Sequence, residues 1–199
     1  MTRKRWFILI VSCVFLAGAA KLFNVFLAQH EKFASVNGIA FQDPVMNALP
    51  LLNVSVFIFS ITYGSILLYI FLERRKAFFL ERAMVVYAGI LLLRIVTLSL
   101  LPLRPPEDLI FLEDPFLNEL IYPGRIVCDL FFSGHVGLLM AFFFLSKRWV
   151  FAALALVLGT LLMVQRVHYS IDVLAAVPFT FIIVLSVEKL LFKRLSTTI

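Results

Sequence analysis

Charge is scarce in this chain of 199 residues: Asp, Glu, Lys and Arg make up 15% of it, against about a quarter in a soluble domain. That shortage excludes a charged disordered tail, a nucleic-acid module and an ordinary water-soluble enzyme. Cysteine is nearly absent. Cys13 lies within an apolar run and Cys128 beside a loop, so no disulfide between them is expected and the redox compartment stays open. There is no internal repeat and no low-complexity tract. What the chain has in excess is hydrocarbon. Apolar residues are 62% of it, Phe alone occurs 22 times, and the mean hydropathy is +1.02. These values predict an integral membrane protein. At about 20 residues per transmembrane helix, the length allows six spans and no sizeable soluble domain.

The apolar runs separate at Trp6–Ala28, Leu51–Leu72, Ala83–Leu103, Val127–Leu145, Trp149–Val164 and Ile171–Phe192. Their length without strict alternation reads as helix, because a bilayer leaves no water to satisfy an open strand edge. The expected fold is an all-α membrane protein, a single six-helix bundle over residues 1–199.

The net charge of +6 reflects topology rather than nucleic-acid binding. Arg3, Lys4, Arg5, Arg74, Arg75, Lys76, Arg82, Lys147, Arg148, Lys189, Lys193 and Arg194 fall on one side of the six runs. Only Lys32, Arg104, Arg125 and Arg166 fall on the other, while Lys21 and Arg94 lie inside runs. Positive charge collects in cytoplasmic loops, so both termini are expected in the cytoplasm. Glu31, Asp43, Glu107, Asp108, Glu113, Asp114 and Glu119 all fall in the outer loops. A competing reading takes Arg3–Arg5, the following apolar stretch and Ala17-Gly18-Ala19 as a cleaved secretory signal. The run continues past Lys21 to Leu27, which favours a retained helix with Lys21 against another helix or in a polar cavity.

Three histidines are present. His30, beside Glu31 and Lys32, reads as a solvated residue of the first outer loop. His135 and His168 are different: one lies near the outer end of the fourth run, the other where the sixth begins, so both map to one membrane face. Asp172 follows His168 by four residues, and on a helix that spacing brings two side chains together. An imidazole can attack phosphorus, provided an anion on its other nitrogen fixes the tautomer and stabilises the developing cation. Asp172 can serve His168 in that way. A second, protonated imidazole can protonate the leaving oxygen, a role open to His135. Ser133 and the backbone around Gly134 can hydrogen-bond phosphate oxygens. The alternative is that these groups merely satisfy one another between helices.

Ser133-Gly134-His135 and His168-x-x-x-Asp172 resemble the second and third motifs of the type 2 phosphatidic acid phosphatase (PAP2) superfamily. The likeness is closer to its sphingomyelin synthase-like branch. That branch has an Asp six residues before the first His, as Asp129 is here, although Val127-Cys128 replaces its Cys-Gly. It also carries His-Tyr-Thr-x-Asp-Val, close to His168-Tyr169-Ser170-Ile171-Asp172-Val173. Arg94, Thr97 and Leu101-Pro102 resemble an upstream segment at shorter spacing, and Asp43-Pro44 faintly resembles another. The similarity covers about residues 40 to 185 and is strongest in the last third.

The resemblance implies six helices around a site at the extracytoplasmic face, with His135, His168 and Asp172 as the catalytic triad. Ser133, Gly134, Asp129, Arg94 and Tyr169 become candidates for holding substrate or phosphate, with Glu107 and Asp108 near the head group. The implied reaction is a double displacement through a phosphohistidine. A phospholipid is the donor, a lipid alcohol of the ceramide or diacylglycerol type is the acceptor, and neither metal nor cofactor is called for. A bacterial inner membrane is the expected location.

Departures from the phosphatase pattern tilt the reading. Phosphatase members carry Lys-x6-Arg-Pro; Arg104-Pro105 occurs here, but Thr97 stands where the Lys belongs. Leu161-Leu162 stand where Ser-Arg precedes the third-motif His. A dianionic phosphomonoester favours several cationic partners, whereas a phosphodiester carries one charge, so diester transfer leads over monoester hydrolysis. A lipid-phosphate or polyprenyl-diphosphate phosphatase is the alternative, and a non-catalytic lipid-binding or lipid-moving protein a third. Arg94, roughly 13 Å below the outer end of its run at 1.5 Å per residue, is either a functional residue by virtue of its depth or half of a structural pair with Asp172, Asp129 or a carbonyl. Both readings stand at this point.

Overall fold

The structure is a computed structural model and describes residues 3–114 and 126–192. Glu119, Arg125, Lys193 and Arg194, which entered the charge count, lie outside the described residues. The elements in chain order are α1 (Arg3–Asn37), α2 (Pro44–Asn47), α3 (Ser55–Glu73), α4 (Phe79–Leu100), α5 (Gly134–Ser146), α6 (Trp149–Val164) and α7 (Ser170–Val187), with a π-helical turn at Glu188–Phe192. Among the described residues there is no strand, only one bridge pair between Ile39 and Leu103. α1, α3, α4 and α7 are long and apolar enough to cross a membrane, while α5 and α6 have 13 and 16 residues.

α4, α5, α6 and α7 pack around one apolar core that includes Val86, Ile90, Val136, Leu158, Leu162 and Ala176. α1 lies along α4 through Phe23, Leu27, Leu91 and Leu98. In lipid, such contacts depend on close fit more than on expulsion of water. Gly159 shows it: a Cβ there would stand 2.6 Å from a Val173 methyl, so α6 reaches α7 only because that position has no side chain. One end of the bundle is tied by Glu73, which is buried and takes Arg148 Nε at 2.8 Å and Lys76 Nζ at 2.5 Å.

Segments 38–54, 101–114, 126–133 and 165–169 gather at the opposite end. They hold one another by backbone bonds, among them Ile39 N–H to Pro102 O (2.8 Å), Leu52 N–H to Val164 O (3.3 Å) and Ile110 N–H to Gln165 O (3.1 Å). Arg166 is buried; its guanidinium donates to Met46 O and Leu49 O, and its Nε stands 3.3 Å from Asp108. Asp43 caps α2, accepting from Val45 N–H and Met46 N–H at 3.0 Å each, and also takes Ser170 N–H at the start of α7. Pro44 at the first helical position suits that cap.

Several expectations are corrected here. α1 runs on to Asn37 rather than ending at Ala28, about 52 Å in all at 1.5 Å per residue. His30 is therefore not a solvated loop residue. It is buried on α1 and stacked on Phe26. Next to it, Glu31 accepts Val127 N–H at 3.1 Å and Cys128 N–H at 2.8 Å, which anchors the extended part of α1 to the segment leading to α5. Lys21 is exposed on α1 rather than packed against a helix. The fourth apolar run becomes helical only at Gly134, because Phe131 and Phe132 take left-handed φ values of 76° and 73°.

Candidate active site

α5 and α7 start side by side at the gathered end of the bundle. Ser133 N–H donates to Asp172 O at 3.1 Å, and the Ser133 side chain caps α5 by accepting Val136 N–H. Two consecutive left-handed residues precede that cap, and Arg166, with φ 60°, precedes His168 by two residues. Such backbone carries strain that packing must hold. Phe132 is fully buried against Phe179, next to Gly137, where a Cβ would meet its ring at 3.1 Å.

His168 Nδ1 lies 3.2 Å from Asp172 Oδ2, and the same oxygen takes Tyr169 N–H at 3.0 Å. The carboxylate thus reaches back to the cap of its own helix and holds the imidazole. Both groups are buried. With Nδ1 turned to the carboxylate, Nε2 is the nitrogen left for chemistry.

His135 sits in the first turn of α5, with its ring edge-on to Phe59 at 6.3 Å between centroids. His135 and His168 line one cavity of about 590 Å³, together with Gly134, Arg94 and Asp129. That size suits a small lipid or drug-sized ligand. His135 is within electrostatic reach of His168, Arg94, Asp129 and Asp114. α5 begins at this cavity, so the positive end of its dipole favours an anion there.

Arg94 is buried on α4. Of the partners weighed for it, the structure supplies Asp129, through Nη2, and the guanidinium also lies over the Phe23 ring at 4.9 Å. A Cβ on Gly134 would collide with that guanidinium. Gly134 therefore makes room for Arg94 at the start of α5.

Some candidates stand elsewhere. Tyr169 turns its hydroxyl to Arg104 O at 2.9 Å and packs against Phe41, outside the cavity lining. Ser133 is buried as a cap and does not line it. Glu107 is exposed, and Asp108 is engaged by Arg166; neither lines the cavity. Conversely, Tyr63 and Asp114 do line it, joined by a 2.7 Å hydrogen bond from the phenol to the carboxylate. The acidity of the loop holding Asp114 was visible in the sequence, whereas nothing local distinguished Tyr63. Among the described residues no group of three or more His, Cys, Asp or Glu is arranged to hold a metal ion.

Cys128, just before Asp129, is buried, and burial with the nearby Glu31 carboxylate pushes its thiol up to about 12. A buried thiol with a raised pKa carries little thiolate.

A scan against protein-family models finds no match for this chain, and a search of curated proteins finds none.

Proposed function

We propose that the chain is a membrane-embedded lipid head-group phosphotransferase of the sphingomyelin synthase-like kind, working through a phosphohistidine. The observation that carries this reading is His168, held by Asp172 at 3.2 Å, sharing a cavity with His135. His168 Nε2 attacks the phosphorus of a phospholipid; the bond to the diacylglycerol oxygen breaks, and His135 gives that oxygen its proton. A lipid alcohol then loses its proton to His135 and attacks the phosphorus, and the P–N bond breaks. Arg94 and the start of α5 offset the negative charge on the non-bridging oxygens. In this reading α5 and α6 cross the membrane with the four longer helices, the termini are cytoplasmic, and the cavity opens to the extracytoplasmic face.

The scarcity of cations supports transfer of a diester over hydrolysis of a monoester. Arg94 is the one Arg or Lys in the cavity lining among the described residues, and Asp129 already neutralises part of its charge. The test is to incubate the purified protein in nanodiscs with a mixed lipid extract and identify new head-group lipids by mass spectrometry. New diester lipids, lost in His168→Ala, are the expected result. Release of inorganic phosphate from phosphatidic acid, with no new lipid, would make it a phosphatase instead.

A further inference from the structure

The cavity continues far below the histidines. Along α4 its lining runs from Arg94 to Leu80, about 21 Å at 1.5 Å per residue. Along α3 it runs from Phe59 to Ile70, about 17 Å on the same rise. The outer end is polar. In the stem, Thr62 spends its hydroxyl on Ile58 O at 2.8 Å and Tyr69 on Phe79 O at 3.3 Å, and Ile66, Leu80, Ala83 and Leu138 present hydrocarbon, with Asn24 and Tyr87 as the other polar side chains of the stem wall. One leaflet of a bilayer is about 15 Å of hydrocarbon. From Phe59, beside His135, down to Tyr69 the stem covers about 15 Å at 1.5 Å per residue, so it is about as deep as the leaflet in which the head group would sit.

Aromatic rings line the deep end. Tyr69 stacks on Phe142 with centroids 4.3 Å apart and planes 14° from parallel. Phe151 backs Phe142 at 5.5 Å and Tyr69 at 5.9 Å. The side is open. α1 packs on α4, and α3 packs on α5 and α6, leaving α1 and α3 facing each other across the stem. Ile70 both lines the cavity and is exposed to the surroundings of the bundle.

From this shape we propose that the stem binds a long hydrocarbon chain of the lipid substrate, admitted sideways between α1 and α3, and that Tyr69 and Phe142 set the longest chain accepted. The proposal rests on the phosphotransferase reading for the identity of the lipid, but the chain site stands or falls by its own readout. A polar end with a charge and two imidazoles, continuous with a largely apolar stem about as deep as a leaflet, matches an amphiphile with one long chain inserted. A water-soluble phosphoester would leave the stem unfilled.

Two measurements test it. Phosphatidylethanolamine carrying a diazirine at the tip of a palmitoyl chain is photolysed with the protein in nanodiscs, in wild type and in His168→Ala. Labelling at Tyr69, Leu80, Ala83 and Met84 is expected in both, whereas an octanoyl-tip probe labels higher, near Leu91 and Leu138. Labelling confined to membrane-facing residues such as Leu67 and Phe71 overturns the proposal. Next, Ala83→Phe, checked for a wild-type melting profile, fills the stem. It should lower the palmitoyl-to-octanoyl turnover ratio on the order of tenfold, the size of a mild overpacking penalty; an unchanged ratio overturns the proposal. If deep labelling occurs and no head group is ever transferred, the chain site stands and the catalytic reading falls. If transfer proceeds while the label stays outside, the reverse holds.

Discussion

The imidazole of His168 and the carboxylate of Asp172 are joined at 3.2 Å through one oxygen, Oδ2, which also binds the Tyr169 amide. That shared oxygen couples the orientation of the ring to the start of α7. Asp172→Asn keeps the shape and removes the charge that would stabilise an imidazolium. Transfer should fall by about 10²–10⁴-fold in kcat, with little change in KM and with the helical circular-dichroism spectrum retained. Activity within a few-fold of wild type would mean that His168 works without its carboxylate.

Arg94 and Gly134 make a second, independent point. Gly134→Ala places a methyl where the guanidinium lies, so the ion pair with Asp129 must shift. Because the two residues act through one contact, their losses should not add. Arg94→Ala and Gly134→Ala should each lower kcat/KM on the order of 10²-fold, as loss of one charge-stabilising donor does, and the double variant should be hardly worse than Arg94→Ala alone. Fully additive losses, measured by a double-mutant cycle, would separate Gly134 from Arg94.

The sequence was most legible where local pattern decides structure. The apolar run Trp149–Val164 has the bounds of α6, and the four-residue spacing of His168 and Asp172 produces the contact that a helix implies. It was least legible where distant contacts decide. Residues 29–37 are polar enough to read as a loop, yet they stay helical, with Glu31 bonded to Val127 and Cys128. Residues 127–132 are apolar enough to read as helix, but Phe131 and Phe132 take left-handed angles before the Ser133 cap. Hydropathy reports solvent preference and says nothing about dihedral angles. The same holds for Tyr63: only the fold brings α3 beside Asp114.

Asp43 gives a pH-dependent stability. Burial opposes its charge, but the backbone N–H groups of Met46, Ser170 and Val45 outweigh that, holding the carboxyl below its ordinary value. A lowered folded pKa means stabilisation that is complete above the unfolded value of about 3.9 and is lost as pH falls through the folded one. The melting temperature in detergent should therefore drop as pH is taken below about 4. Asp43→Asn should melt lower at neutral pH, by the equivalent of about 1.5–3 kcal/mol for hydrogen bonds to a charged group, and should show a shallower acid limb. A variant with the same acid limb as wild type would assign the loss to other carboxylates.

Gln165 ties its own segment to two others at the gathered end of the bundle. Its side-chain amide donates to Ser55 Oγ at 2.7 Å and to Ile110 O and Phe111 O at 3.3 Å, while its Oε1 accepts Val54 N–H at 2.9 Å. Phe111 and the neighbouring Leu109 and Leu112 line the cavity, so this fully buried side chain positions its rim. Gln165→Leu keeps the bulk and strands the Val54 amide, a cost of about 1–3 kcal/mol. Gln165→Glu is expected to be worse, because it sets a buried carboxylate against two carbonyl oxygens, and an unpaired buried charge costs more than an unpaired neutral group. Both variants should loosen segment 104–114, read as faster cleavage at Glu107 by a Glu-specific protease than in wild type. Cleavage at the wild-type rate in both would show that the rim is held by its backbone bonds, such as Ile110 N–H to Gln165 O, and that the amide is dispensable.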